Sequence, residues 1–329
     1  MNKEAKLAKN IFKKNLEQVP IRNGYGDGLL VLGESNPDVV VLSADLAEST
    51  RAKAFADKYP NRFFEVGVAE QNMMGVAAGL ALSGKIPFVS SYATFSPGRN
   101  WDQLRVSVCY SQANVKIAGS HAGLSVGPDG ATHQALEDIA MTLVLPNLIV
   151  VVPCDYYEAK KCTMAAGQRQ GPVYFRLGRA ETPVFTTADT PFEIGKILEL
   201  REGGDVTIIG AGPLLYEALL AAEQLRKRGI EAQVLNCHTV KPIDKKKILA
   251  AVKETGCAVT VEEHQIHGGL GSAVAEVLAQ EYPVPQEFVA VADHFGESGE
   301  PRELCEKFNL AAVDIVKAVE RAIKRKHSR

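Results

Sequence analysis

The chain holds one tryptophan, six cysteines and almost no net charge, and each scarcity excludes something. Cysteines 109, 154, 162, 237, 257 and 305 are scattered, and no Cys-x-x-Cys pair occurs among them. Neither a dithiol redox motif nor a cysteine zinc site is therefore written here. Several lie inside apolar runs, where buried reduced thiols are expected. Net charge is −2, from 37 Lys and Arg against 39 Asp and Glu. No basic footprint directs the chain to nucleic acid or to an anionic membrane. No apolar run approaches the roughly 20 residues of a membrane span. The opening Met1-Asn2-Lys3-Glu4-Ala5-Lys6 is charged and no apolar segment follows, unlike a secretory signal. The simplest expectation is a cytoplasmic protein. The basic stretch Lys317, Arg321, Lys324, Arg325, Lys326 and Arg329 reads as a solvated helix end, its cations favourable near the C-terminal pole.

What is present is an ordinary globular composition in 329 residues, 46% hydrophobic and 23% charged, enough for two domains with separate cores. Short β-branched runs alternate with helical patterns, which predicts α/β layers around mostly parallel sheets. The first unit offers strands at 39–45, 63–66, 87–92, 115–120, 148–153 and 173–177. Helical patterns lie between them near 23–34, 47–58, 70–83, 99–112, 133–142 and 156–169. After Arg179 the text turns irregular and reads as a linker. A smaller α/β unit follows, with strands at 205–209, 232–236, 257–262 and 288–292 and helices at 214–228, 244–254, 269–281 and 312–325. The expected division is 1–182, a linker at 183–203, and 204–329.

Two motifs in the second unit are discounted. Gly210-Ala211-Gly212 follows a strand but lacks the third glycine and the acid of a dinucleotide fingerprint, so it reads as a plain βα turn. His264-Gln265-Ile266-His267 beside Glu262 and Glu263 lacks a clear third ligand and reads as a turn before a helix.

Glu70 is the most informative residue. It heads the glycine- and alanine-rich run Glu70–Leu82, and the next charge along the chain is Lys85, so no partner stands one or two helical turns on. A carboxyl so placed should lose hydration and be pushed upward in pKa unless something donates to it. The small residues 75, 77, 78, 79 and 81 would let a backbone or ligand come close. Three further segments follow strands. Tyr92-Ala93-Thr94-Phe95 brings aromatics able to stack on a flat heterocycle, followed by Arg99-Asn100-Trp101-Asp102-Gln103-Leu104-Arg105. The loop Gly119-Ser120-His121-Ala122-Gly123-Leu124-Ser125-Val126-Gly127-Pro128-Asp129-Gly130-Ala131-Thr132-His133-Gln134 is too polar for a core and too glycine-rich for a helix. It lies beyond a strand's C-terminal end, where open α/β sheets bind ligands. Ser43-Ala44-Asp45-Leu46-Ala47-Glu48-Ser49-Thr50 leaves a strand in the same way.

Together and in this order these segments resemble the transketolase family, over essentially the whole chain. They cover its pyrimidine-binding and C-terminal domains, the C-terminal half or so of a fused enzyme. The family's N-terminal metal–diphosphate motif is not found. Gly26-Asp27-Gly28 lies within a helical pattern, with the next asparagines, 36 and 61, badly placed, and reads as helix filler. The resemblance is to the C-terminal subunit of a split transketolase, which transfers a two-carbon ketol unit between sugar phosphates. It implies thiamine diphosphate, with Mg2+ or Ca2+ held mainly by a separate N-terminal partner subunit. It also implies self-association, as an α2β2 assembly, and no metal ligand on this chain.

By the same resemblance, Glu70 matches the glutamate that hydrogen-bonds the cofactor's aminopyrimidine ring nitrogen. Tyr92 and Phe95 match the aromatic pair around that ring, and Asp45 an acid near it. A third aromatic usual in the family is missing, with Gly98 near its place. Arg22, Ser49, His121 and Arg179 fall on the sugar-phosphate site. Asp129 matches the acid that reads substrate hydroxyls, and His133 a proton-transfer group where some relatives carry glutamine. The same architecture serves 1-deoxyxylulose-5-phosphate synthases and 2-oxoacid dehydrogenase β subunits. The His121-to-Asp129 spacing and the Ser-Ala-Asp-Leu-Ala segment favour transketolase. A non-catalytic regulatory paralogue is the reading from another class, and retention of Glu70 argues against it.

Overall fold

The computed structural model describes residues 1–13 and 15–328. Arg329, the last of the basic C-terminal cations, therefore lies outside the described residues, while Lys317–Lys326 fall in the helix Ala312–His327. The first unit is a seven-stranded sheet, in spatial order Thr239–Lys241, Ile149–Val151, Val173–Arg176, Lys116–Ser120, Ile86–Tyr92, Val39–Ser43, Phe63–Glu65. All neighbours are parallel except Thr239–Lys241, which comes from the second unit and pairs antiparallel with Ile149–Val151. Its inner strands Val39–Ser43, Lys116–Ser120 and Val173–Arg176 are buried on both faces, as helix-covered parallel strands must be. The second sheet runs Gln286–Val291, Ala258–Gln265, Val206–Gly210, Ala232–Asn236, Leu198–Arg201, with only the last antiparallel.

The order of the first sheet creates a crevice. From Val39–Ser43 the chain moves to the edge strand Phe63–Glu65, then returns across to Ile86–Tyr92. Helices Ile21–Ser35, Lys53–Lys58 and Tyr156–Gln168 pack against one face. Helix Glu70–Leu82 and the turns of Leu104–Tyr110 pack against the other. The loops leaving Ser43 and Tyr92 diverge to opposite faces, which is the topological switch point of an open α/β sheet.

Most predicted elements form within a few residues of their expected limits. Three differ. The 47–58 pattern is turns until helix Lys53–Lys58 begins, the 99–112 pattern is π-helical over Leu104–Tyr110, and the 133–142 pattern is helical only over Asp138–Leu143. Polar turn residues and the loop's glycines hold the first and third open, because their backbone groups bond locally instead. The irregular stretch after Arg179 is pinned, with Asp155 accepting from the amides of Phe185 and Thr186 at 3.0 and 2.7 Å.

The Gly24–Gly28 run is not filler. A Cβ on Gly24 would stand 2.1 Å from the Tyr156 carbonyl oxygen, and one on Gly28 would stand 2.7 Å from the Thr163 side chain. These glycines seat helix Ile21–Ser35 directly on helix Tyr156–Gln168. The two discounted motifs are both turns. Val206–Gly210 turns through Gly212, at φ 71°, into helix Leu215–Arg226. Ala258–Gln265 leads through a turn into helix Leu270–Glu281, where buried Glu262 accepts from the amides of Leu270 and Gly271 at 2.7 and 2.8 Å. All six cysteines are free thiols.

Candidate active site

Registers bring five strand ends to one edge: Ser43 lies opposite Glu65 and Ser90, Tyr92 opposite Ser120, and Gly119 opposite Arg176. Tyr92 ends its strand, Glu70 opens helix Glu70–Leu82 and Arg22 stands in the first turn of helix Ile21–Ser35, while the other candidates lie in the segments that leave this edge. Two clusters result.

The first is built around Glu70. It is the first residue of helix Glu70–Leu82, where a carboxylate suits the helix dipole. Met73, Met74, Ala77 and Ala78 bury the other face of that helix, and each Met contributes about 1.5–3 kcal/mol. Glu70 is 3% exposed and lines a cleft with Val68, Ala69, Gln71, Asn72 and Arg99. No charge was within helical reach in the sequence. The partner comes from a loop instead, as Arg99 Nη1 donates to both Glu70 oxygens at 3.2 Å. The same guanidinium lies 4.1 Å above the Phe95 ring. Asn100 Nδ2 holds the Glu70 carbonyl at 3.2 Å and Ser96 Oγ at 3.1 Å, fixing the loop under the helix start. No aromatic could replace Gly98, whose Cβ would fall 2.0 Å from the Thr94 carbonyl oxygen.

The second cluster is built around His121. Its ring stacks on Tyr92 at 3.8 Å, and Tyr92 lies 5.8 Å from Phe95. His133 presents its edge to both, at 6.0 and 5.6 Å, and touches Thr132 Oγ1 at 2.9 Å. Arg22 Nη1 donates to the Ser49 carbonyl at 2.9 Å and to His121 Nε2 at 3.0 Å. An accepting Nε2 leaves the proton on Nδ1, which donates to Ser120 Oγ at 2.9 Å. Burial, reinforced by the Arg22 and Arg179 guanidiniums, holds His121 down to about 3, so this imidazole is neutral at physiological pH. Burial and the charges of Arg51 and Arg179 lower Arg22 to about 10, and it stays cationic. Its buried Nε has no partner, and the Ser49 hydroxyl has none among the described residues. Arg179 reaches the Val126 carbonyl at 2.9 Å. Asp45 and Asp129 are exposed at the rim without side-chain bonds to the others, though the Asp129 charge acts on Arg22. Asp45 at φ 60° and His121 at φ 54° are non-glycine residues in left-handed conformation, strain of the kind that concentrates at functional sites.

Residues that carry no mark in the sequence support both clusters. Glu65 accepts from the amides of Asp45 at 2.7 Å and Gly67 at 2.9 Å, joining the turn after Ser43 to the approach to Glu70. Glu263 of the second unit takes the Ser125 amide at 2.5 Å and its hydroxyl at 3.1 Å. Buried Gln134 donates to the carbonyls of Leu124 at 3.2 Å and Glu297 at 2.9 Å. The second unit thus holds the base of the loop that carries Asp129. Gln134 stands beside His133, and Glu263 in the Glu-Glu-His run, but nothing local marks either as a clasp. Among the described residues no three His, Cys, Asp or Glu side chains gather as a metal site.

Comparison with known proteins identifies the class. The model of the transketolase pyrimidine-binding domain matches residues 17–184, and that of the transketolase C-terminal domain matches residues 195–315. The chain belongs to the transketolase family, whose members depend on thiamine diphosphate. It is 43% identical to the 6-deoxy-6-sulfo-D-fructose transketolase subunit SqwH of Clostridium sp., over 97% of this chain and 99% of that one. It is 39% identical to one subunit of the apulose-4-phosphate transketolase of Phocaeicola vulgatus, over 93% and 98%. A solved split-gene transketolase, described as an inactive β4 tetramer, superposes with a TM-score of 0.87 at 46% identity, over 94% of this chain and 100% of that one. In extent this chain matches separately encoded transketolase subunits, and no described helix is long and apolar enough to cross a membrane.

Proposed function

We propose that this chain is the C-terminal subunit of a thiamine diphosphate-dependent transketolase, moving a two-carbon ketol unit from a ketose phosphate to an aldose phosphate together with a separate N-terminal subunit. The observation that carries the reading is the pair of clusters at one sheet edge. A desolvated carboxyl beside a stacked aromatic lies on one side, and carboxylate-free arginines around a neutral histidine lie on the other. The first suits the aminopyrimidine end of the cofactor: a buried acid facing an open cleft, with a planar ring beside it. When bound, thiamine diphosphate supplies the nucleophilic carbon that accepts and releases the two-carbon unit.

This chain's residues then have distinct tasks. Glu70 shares a proton with the pyrimidine ring nitrogen once Arg99 yields its place, and Tyr92 and Phe95 line the ring. Asp45 is an acid at the cofactor's rim. Arg22, Ser49, His121 and Arg179 bind the sugar's phosphate, for which guanidinium donors and a hydroxyl are suitable chemistry. Asp129 reads sugar hydroxyls, and His133, edge-on to the aromatics, moves a proton near the reacting carbon. Mg2+ or Ca2+ is held mainly by the partner, and the assembly is α2β2 in the cytoplasm.

If the four residues converge on one phosphate, Arg179→Ala removes a charge-assisted contact worth about 1.5–3 kcal/mol. The expected result is a roughly ten- to hundredfold loss of kcat/KM for ribose 5-phosphate, with glycolaldehyde nearly unaffected. Hydroxypyruvate serves as donor, so that no donor phosphate intervenes. Equal losses would make Arg179 structural, and activity with pyruvate instead of ketose donors would indicate a deoxyxylulose-phosphate synthase.

Self-association has its own support. Gly75 and Gly79 cost helix Glu70–Leu82 about 1 kcal/mol each, yet a Cβ at either would meet nothing within 4 Å in this chain. Val68 and Leu82 flank the helix, each 68% exposed, and Tyr110, in the adjoining turns Leu104–Tyr110, is 83% exposed. Small residues with open space suit the close approach of another subunit. Gly79→Leu should preserve or strengthen the helix while reducing assembly, read as a smaller species in sedimentation velocity. An unchanged species would remove this face from the interface.

A further inference from the structure

A further guanidinium stands beside the residues assigned to the distal anion site. Arg51 lies two residues after Ser49, whose carbonyl anchors Arg22. Its Nε donates to Asn23 Oδ1 at 2.8 Å, the residue next to Arg22, and its two Nη groups have no partner among the described residues. Arg51 stands at φ 67°, a conformation that costs a bulky residue strain, and it is held there from both sides. Its amide donates to the Glu48 carbonyl at 3.1 Å. Beneath it is Gly26, where a Cβ would fall 2.8 Å from the Arg51 Cβ and 2.9 Å from its carbonyl oxygen. The positive charge of Arg51 acts on both Arg22 and His121, which places it in the same electrostatic neighbourhood.

The acids nearby do not neutralise it. Of the carboxylates lining the adjoining cleft, Asp27 is taken by the Tyr156 hydroxyl and Asp57 by Lys53, and only Glu48 is left without a side-chain partner. Among the described residues none of Arg22, Arg51 and Arg179 has a carboxylate within ion-pairing distance. Like charges gathered without an ion-paired carboxylate repel, and an arrangement of this kind is relieved by a ligand of higher negative charge.

We propose that Arg51 is the third guanidinium of the distal site and makes that site selective for a phosphate monoester dianion over a sulfonate monoanion or an uncharged sugar. This rests on the proposed transketolase reading. A phosphate monoester carries about −1.5 to −2 charge at pH 7 with three acceptor oxygens. Arg22 and Arg179 each meet part of that set, and Arg51 closes it from the mouth. Because Arg51 is exposed, water screens its contribution more than theirs.

The test uses the complex with the N-terminal subunit and compares wild type, Arg51→Ala, Arg51→Lys and Arg179→Ala. With hydroxypyruvate as donor, Arg51→Ala should lower kcat/KM for ribose 5-phosphate by about five- to twentyfold and leave glycolaldehyde within about twofold. Arg51→Lys, which keeps the charge, should recover most of the loss. With fructose 6-phosphate and 6-deoxy-6-sulfofructose as alternative donors, the phosphate should lose more than the sulfonate. Equal losses for phosphorylated and unphosphorylated acceptors, or none, would overturn the role of Arg51. Equal losses for phosphate and sulfonate would overturn the preference for a dianion. Arg179→Ala separates the levels. If it discriminates against ribose 5-phosphate while Arg51→Ala does not, the Arg51 inference alone fails. If neither discriminates, the distal phosphate site itself is misassigned.

Discussion

Glu70→Gln is expected to cut cofactor activation by orders of magnitude while leaving the fold intact. Glutamine keeps the shape at the start of helix Glu70–Leu82 but cannot carry a shared proton. Folding should survive because the lost partner is cheap to lose. Arg99 is exposed and its ring contact with Phe95 does not depend on the carboxylate, so the guanidinium returns to water. The Asn100 contact is to the Glu70 backbone carbonyl and is kept. The direct measurement is the exchange rate of the thiazolium carbon proton by NMR in the reconstituted complex, with a thermal melt as the folding control. An exchange rate within a few-fold of wild type would take Glu70 out of the mechanism.

The second large effect is the dependence on a partner. The isolated chain is expected neither to retain thiamine diphosphate tightly nor to turn over sugar phosphates, and addition of the N-terminal subunit should restore both. The reason lies in how the two ends of the cofactor would be held. The Glu70 cleft suits a neutral, flat heterocycle. Among the described residues no three His, Cys, Asp or Glu side chains gather to hold a divalent cation against a diphosphate. The anionic end would stay in water, and its binding energy would be absent. Calorimetry of the pure chain with thiamine diphosphate and magnesium tests this, and stoichiometric tight binding would mean that a diphosphate site has been overlooked.

Much of the candidate site was legible because its side chains follow strands. Asp45, Ser49, Glu70, Tyr92, His121 and Arg179 each stand a few residues past a β-branched run, and parallel strands carry such segments to one edge. Their supporting residues were not legible. Arg99 sits in a polar loop that looks like a simple connection, and only the packing of that loop under the helix start brings its guanidinium to Glu70. Arg51 has the look of a surface cation until Gly26 proves to be the notch on which it rests. Gln134 and Glu263 carry no local signal, because their partners lie 163 and 138 residues away in the chain.

By itself the sequence determined the α/β class, the two units, most strand and helix positions and the family. Period and composition are local properties, and the motifs of the site are short. It also placed the glycines of residues 24–28 on a helix, without their purpose. The tertiary structure alone decided the pairing of Thr239–Lys241 with the first sheet, the pairing of Leu198–Arg201 with the second, and the clasp across the Asp129 loop. It alone put Arg99 on Glu70 and set Arg22 and Arg179, neither ion-paired to a carboxylate among the described residues, around a neutral histidine. Those outcomes depend on which distant backbone arrives to satisfy a buried polar group. A buried group accepts whatever donor the packing delivers, and no spacing along the chain encodes that.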